Sequence, residues 1–151
     1  MRAGRNWFMA CCLGLLAVSA PAQTTVDTRA ACIQGRRIIC GRVLQITPAG
    51  LVVDSGYTGL LQPPLNHAWL NRATALPARP AQVMEKSTTD AVAIGPLLLT
   101  DFPRRPAVHQ YDYVTLQGYP AGHYDYVPLP GVTNRLRRFA GGLETAVRLG
   151  H

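Results

Sequence analysis

Proline recurs at positions 48, 63, 64, 77, 80, 96, 103, 106, 120, 128 and 130. Each one removes a backbone donor and clashes with the preceding turn of a helix, at a cost of about 3 kcal/mol inside one. Between residues 48 and 130 no proline-free interval exceeds 15 residues, so long helices are excluded there. What remains is a set of short strands joined by turns, which the 14 glycines also favour. The chain is too apolar to stay unfolded: 48% of its 151 residues are hydrophobic and only 15% are charged. A chain of this length makes one domain.

Residues 1–22 read as a secretory signal peptide. Arg2 and Arg5 give a basic start, Phe8 to Val18 an apolar run, and Ala20-Pro21-Ala22 the small residues ahead of cleavage before Gln23. The run is about 11 residues, against the roughly 20 that a membrane-spanning helix needs. No later segment is long and apolar enough to cross, so no transmembrane segment remains after cleavage. The expected location is outside the cytoplasm: periplasm, outer surface or extracellular space. The mature chain then has about 129 residues, 13 basic and 8 acidic side chains, and a charge of +5. Its cysteines are Cys32 and Cys40, and an even pair in an exported chain predicts a disulfide. The spacing suits a hairpin with Gln34 to Arg37 at the turn, and the bridge contributes roughly 2.5 kcal/mol in the chain-entropy account.

Residues 23–31 are mostly small or polar and predict a poorly ordered lead-in to a single domain over 32–151. Arg37 to Thr47 reads as a strand, Pro48-Ala49-Gly50 as a turn, and Leu51 to Asp54 as a second strand closed by Ser55-Gly56. Val43 and Ile46 are three apart where strand alternation needs two, which predicts a β-bulge that curves the first strand. Residues 60–90 carry no clear pattern. Asp90 to Phe102 holds Val92, Ile94, Leu97, Leu98 and Leu99 and predicts a third strand, with Pro96 placing it at an edge or a bulge. Tyr111-Asp112-Tyr113-Val114 recurs thirteen residues on as Tyr124-Asp125-Tyr126-Val127. That repeat predicts a hairpin turning over Gly118 to Gly122, with Val114, Leu116, Tyr124 and Tyr126 on one core-facing side. Downstream, a strand through Arg138-Phe139 and a short helix from Leu143 to Leu149 are predicted. The expected fold is all-β: a small barrel or sandwich of about five or six strands with a short C-terminal helix.

Gly41-Arg42-Val43-Leu44-Gln45-Ile46, followed by Gly50-Leu51-Val52-Val53, resembles the opening of OB or S1-type barrels, and implies an OB-like barrel. The blocks Gly41 to Tyr57, Leu97 to Pro103, Tyr111 to Tyr126 and Arg137-Arg138-Phe139 resemble a group of small exported bacterial proteins of unassigned function, which imports no activity. Leu51-Val52-Val53-Asp54-Ser55-Gly56 is similar to the Asp-Thr/Ser-Gly signature of retropepsin-like aspartic proteases. That resemblance implies a homodimer in which Asp54 is the catalytic carboxylate, sharing a proton across the dimer axis and activating a water. It also requires an apolar-apolar-Gly element downstream, for which only Ala93-Ile94-Gly95 serves, and Tyr57 stands where a small residue is usual.

Arginine supplies every basic residue of the mature chain except Lys86, in clusters at Arg36-Arg37 with Arg42, Arg104-Arg105, and Arg135 with Arg137-Arg138. Tyr111, Tyr113, Arg135, Arg137 and Arg138 are the candidate binding residues, suited to an anionic polymer or an envelope component. Export and a charge of only +5 argue against nucleic acid. His67, His109, His123 and His151 are scattered and no second cysteine pair follows, so neither a metal nor a cofactor is expected. The leading expectation is an exported, non-enzymatic binding or structural module. A protease acting through Asp54 and an OB-type binder of an anionic polymer are the alternatives.

Overall fold

The computed structural model describes residues 24–61, 69–71, 85–86, 88 and 90–150. The segment predicted to be a signal peptide and most of the unpatterned stretch between 60 and 90 lie outside the described residues. A helix, α1 (Thr24–Gln34), leads into β1 (Arg37–Thr47) and β2 (Gly50–Ser55). A 3-10 turn (Thr58–Leu61) and a short strand, β3 (Leu70–Asn71), follow. Then come β4 (Gly95–Thr100), the long β5 (Tyr113–Leu129), β6 (Val132–Ala140) and the terminal helix α2 (Leu143–Leu149).

The fold is all-β around one mixed sheet that closes on itself. Its order is β1-β2-β4-β6-β5, and β5 pairs again with β1, so five strands form a ring; β3 adds to β5 outside it. Every pairing is antiparallel except β4 with β6. Closure leaves few unpaired strand edges in the ring. The first hairpin follows the sequence pattern, and the β1–β2 register slips between Val43 and Gln45, where the apolar spacing predicts a bulge. Inside the ring Ile39, Val43, Leu51, Val53, Leu97, Leu99, Val114 and Phe139 form one buried core. The continuous apolar run of β4 arises because both its faces are covered: Leu97 and Leu99 point inward, and Leu98 joins an outer cluster with Val52 and Leu136.

Four expectations are corrected. The lead-in is helical from Thr24, with no Gly or Pro until Gly35, whose N–H bonds the Ala31 carbonyl at 2.8 Å. It is held in place through Cys32, buried with Ala121, Ala140 and Ala146. Pro96 sits not at a sheet edge but in a strand between β2 and β6. It is tolerated because it precedes the β4–β6 ladder, which begins at Leu97 opposite Arg137. Gly118 to Gly122 does not reverse the chain: Tyr113 and Val114 of the first copy and the whole of the second lie along β5, Tyr111 and Asp112 stand in the turn before it, and the hairpin is β5 with β6. The segment bends instead, with a register shift between Pro120 and His123 and Gly122 at φ 82°. Val114 and Leu116 therefore meet the inner core, while Tyr124 and Tyr126 pack on the outer cluster.

The fourth correction concerns the cysteines, which are free and buried apart from each other. Cys32 rides on α1 with its Sγ 3.5 Å from the Pro120 carbonyl, and Cys40 lies in β1 between β2 and β5. A helix-to-strand junction stands where a disulfide hairpin is predicted. Burial pushes the Cys40 thiol up to about 11, against the pull of the Gly56 and Tyr57 N–H groups, which leaves it protonated and inert at neutral pH. Alkylation without reductant is therefore expected to label both residues after denaturation and neither in the folded protein. A denatured chain that takes no label at these positions would restore the disulfide.

Candidate functional site

The β4–β6 ladder ends at Arg137, and from His123 to Leu136 β5 and β6 pair only with each other. They form a two-stranded arm that curls over the outside of the ring, because Tyr124 and Tyr126 pack back onto Val52, Leu98 and Leu136. The Tyr126 hydroxyl donates to the Gln45 side chain and ties the arm to β1 just beyond the bulge. A groove of about 520 Å³ runs between arm and ring. Leu44, Val52, Pro96 and Leu136 make its apolar walls, and Gln45, Tyr126, Asn134 and Arg135 supply its polar groups. Arg135 also borders a second, more polar hollow of about 530 Å³ that holds His123, Asp125 and Arg138. The tip of the arm is apolar and bare, with Val127, Leu129 and Val132 exposed by 57%, 64% and 46%.

The residues picked out by sequence divide sharply. Arg137 donates to Glu85 at 2.7 Å and to the Ile94 carbonyl at 2.7 Å, and Arg138 donates to the carbonyls of Ala121 at 2.7 Å and Leu149 at 3.0 Å. Arg36 forks onto Asp90 at 2.7 and 2.8 Å, and Arg37 reaches Glu85 at 3.1 Å. These guanidiniums hold the ring together. Arg135 alone of the predicted set faces the groove. Tyr111 is exposed and lies over Arg42, with the guanidinium carbon 4.5 Å from the ring centroid. Tyr113 is buried, edge-on to Tyr57 at 5.5 Å between centroids. Its burial raises the phenol pKa, with Arg42 pulling the other way.

Asp54 is half-buried in the middle of the sheet, opposite Arg42 on one side and Pro96 on the other. Gly95, the end of the apolar-apolar-Gly element, is opposite Ser55. Ser55 is fully buried and its hydroxyl bonds the N–H of Cys40 at 3.2 Å and the carbonyl of Cys40 at 3.4 Å, a structural use of the side chain. Among the described residues no three His, Cys, Asp or Glu side chains are grouped to hold a metal ion, and no helix is long and apolar enough to cross a membrane. Sequence reasoning did not find Gln45, Asn134 and Tyr126 as groove residues. Only the Tyr-Asp-Tyr-Val repeat pointed toward Tyr126.

In comparison with known proteins, no family model, no curated protein sequence and no solved structure matches this chain.

Proposed function

We propose that the protein is an exported, non-enzymatic binding module, an OB-type ring that holds an extended, sparsely anionic polymer of the cell envelope in the groove beneath its β5–β6 arm. The observation that carries this reading is the groove itself: apolar walls, one tyrosine and one arginine free of ion pairs, with Arg135 also lining a second hollow. Aromatic and apolar walls with a few convergent polar groups are the make-up of a binding site. The ring order with its single parallel pair supports the OB-type likeness, a small closed barrel that presents an outer face and its loops to oligosaccharides and similar chains. A densely charged polyanion is disfavoured because Arg36, Arg37, Arg137 and Arg138 are engaged internally. The signal-like N-terminus supports export, and a carboxylated polysaccharide fits both the location and the single guanidinium.

The test is retention on immobilised, mostly methyl-esterified polygalacturonate, in which only a few carboxylates are free. Retention is expected to fall weakly with salt, since one charge is neutralised. Arg135→Ala is expected to abolish most of it, and Tyr126→Ala to weaken it about tenfold, a loss typical of removing one stacked aromatic. Retention untouched by both substitutions would sink the proposal. Peptide cleavage that is lost in Asp54→Asn would replace it with the protease.

A further inference from the structure

Among the described residues two side-chain polar atoms are buried without any hydrogen-bond partner, Nε of Arg42 and the hydroxyl of Tyr113. They belong to cross-strand neighbours, because Arg42 of β1 is paired with Tyr113 of β5. Tyr113 is only 3% exposed, so water does not reach the hydroxyl freely. A buried donor left unpaired costs about 1–3 kcal/mol, and two of them on directly paired residues call for an acceptor. The hydroxyl oxygen does not itself accept the Nε–H, so that acceptor is a third group.

Two aromatic side chains and a clamped turn frame the pair. Tyr111 covers a face of the Arg42 guanidinium, which leaves the edge of the fork for recognition. Tyr111 reaches that place only with φ at 73°, a conformation that costs an aromatic residue on the order of 1 kcal/mol. The other non-glycine residues with positive φ among those described are both aspartates, which tolerate it better. The turn is clamped onto β1 by Tyr111 N–H to the Val43 carbonyl at 2.7 Å, Val43 N–H to the Asp112 carbonyl at 2.8 Å, and the Gln110 amide to the Leu44 carbonyl at 2.8 Å. Tyr57 closes the side of Tyr113. Asp54 flanks Arg42 on the β2 side, so an anion is repelled there and approaches from the Tyr113 side.

We infer that Arg42 and Tyr113, framed by Tyr111 and Tyr57, form a carboxylate-binding site distinct from the groove, with the guanidinium edge and the phenol hydroxyl both donating to the bound group. Two sources offer that chemistry: a small free carboxylic acid, or the carboxylate at the end of a peptide chain.

Thermal unfolding of the purified protein separates them. The probes are sodium acetate against sodium chloride at matched ionic strength, and one short peptide with either a free or an amidated C-terminus. The unfolding midpoint is expected to rise with the concentration of acetate or of the free-acid peptide, because a ligand that binds only the folded state stabilises it by mass action. A response to acetate identifies the small acid, and a response to the free but not the amidated peptide identifies the chain terminus. Tyr113→Phe is expected to weaken the response at least about tenfold while leaving the ligand-free midpoint equal or higher, since it deletes an unpaired buried hydroxyl. Arg42→Lys keeps the charge but loses the fork, and is expected to weaken the response similarly. A parent protein that responds to neither probe beyond chloride, or either variant that keeps the parent's response, overturns the inference.

Discussion

Gly41→Ala is expected to lower the unfolding midpoint by on the order of 10 °C. Gly41 is where β1 is paired on both sides, with Ser55 of β2 and Val114 of β5. A Cβ at this position meets Cγ1 of Val53, the carbonyl oxygen of Asp54 at 2.7 Å and Cα of Ser55 at 2.9 Å. Two of those three are backbone atoms, which no rotamer change moves. The strands must separate, and because the ring is closed the displacement is passed on to β5. Overpacking in a close-packed interior costs about 1–3 kcal/mol, and a clash with backbone places this substitution at the upper end. Thermal melts read the result directly, with Val127→Ala on the bare arm tip as a control expected within about 0.5 kcal/mol of the parent. A Gly41→Ala midpoint within about 2 °C of the parent would mean that β1 and β2 are not packed this tightly.

The same glycine shows how far the sequence reads. The β1–β2 hairpin, its bulge, the β4 run and the terminal helix are legible because each is set by local spacing: period-two alternation, a slip between Val43 and Ile46, and Leu143 to Val147 at helical separation. Which strand lies beside which is not local. Both copies of the Tyr-Asp-Tyr-Val segment look like strands; the second is one throughout and the first only from Tyr113, and the two do not face each other. One copy is paired with β1 and the other with β6, and the Gly118 to Gly122 segment bends the strand between those partners. Cys32 is likewise placed by what packs on it, the buried alanines of β5, β6 and α2, and not by its distance from Cys40 in the chain.

The candidate site shows the same limit from the side of charge. Clustered arginines look alike in a sequence, but their partners decide what they do. Arg137 and Arg138 are adjacent and point to opposite tasks, one binding Glu85 and the other the carbonyl groups at the end of α2 and in the β5 bend. Arg135, two residues earlier, lies beyond the β4 ladder and is left facing the groove. Neither the arm nor the groove has a motif. Both follow from β5 and β6 outrunning β4, a difference in strand length that only the assembled sheet reveals.

Replacing Glu85 is expected to destabilise the protein by about 2 kcal/mol at neutral pH, and by progressively less as the pH falls below about 4.5. Glu85 lies in a stretch where the sequence shows no pattern, yet its carboxylate joins three parts of the ring. It accepts from Arg37 at the start of β1 at 3.1 Å, from Arg137 in β6 at 2.7 Å, and from the Ile94 N–H just before β4 at 3.3 Å. The side chains of Glu85, Arg37 and Arg137 are 22%, 15% and 39% exposed. Breaking a fully buried pair costs about 3–5 kcal/mol, and partial exposure of Arg137 reduces that toward 2. Burial alone pushes the carboxyl pKa up, but the Arg137 hydrogen bond, the Ile94 N–H, the Arg137 charge and the Arg37 hydrogen bond outweigh it and hold the group below its ordinary value of 4.5. A carboxylate whose pKa is depressed by folding stabilises fully above its unfolded value, and loses that contribution as the pH falls through the folded one. The urea midpoints of parent and Glu85→Gln are therefore expected to differ most at pH 6 to 7 and to converge as the pH falls below about 4.5 and on through the lower folded value, because protonation then does to the parent what the substitution has already done. A gap that stays constant across that range would show that Glu85 acts through packing and not through its charge.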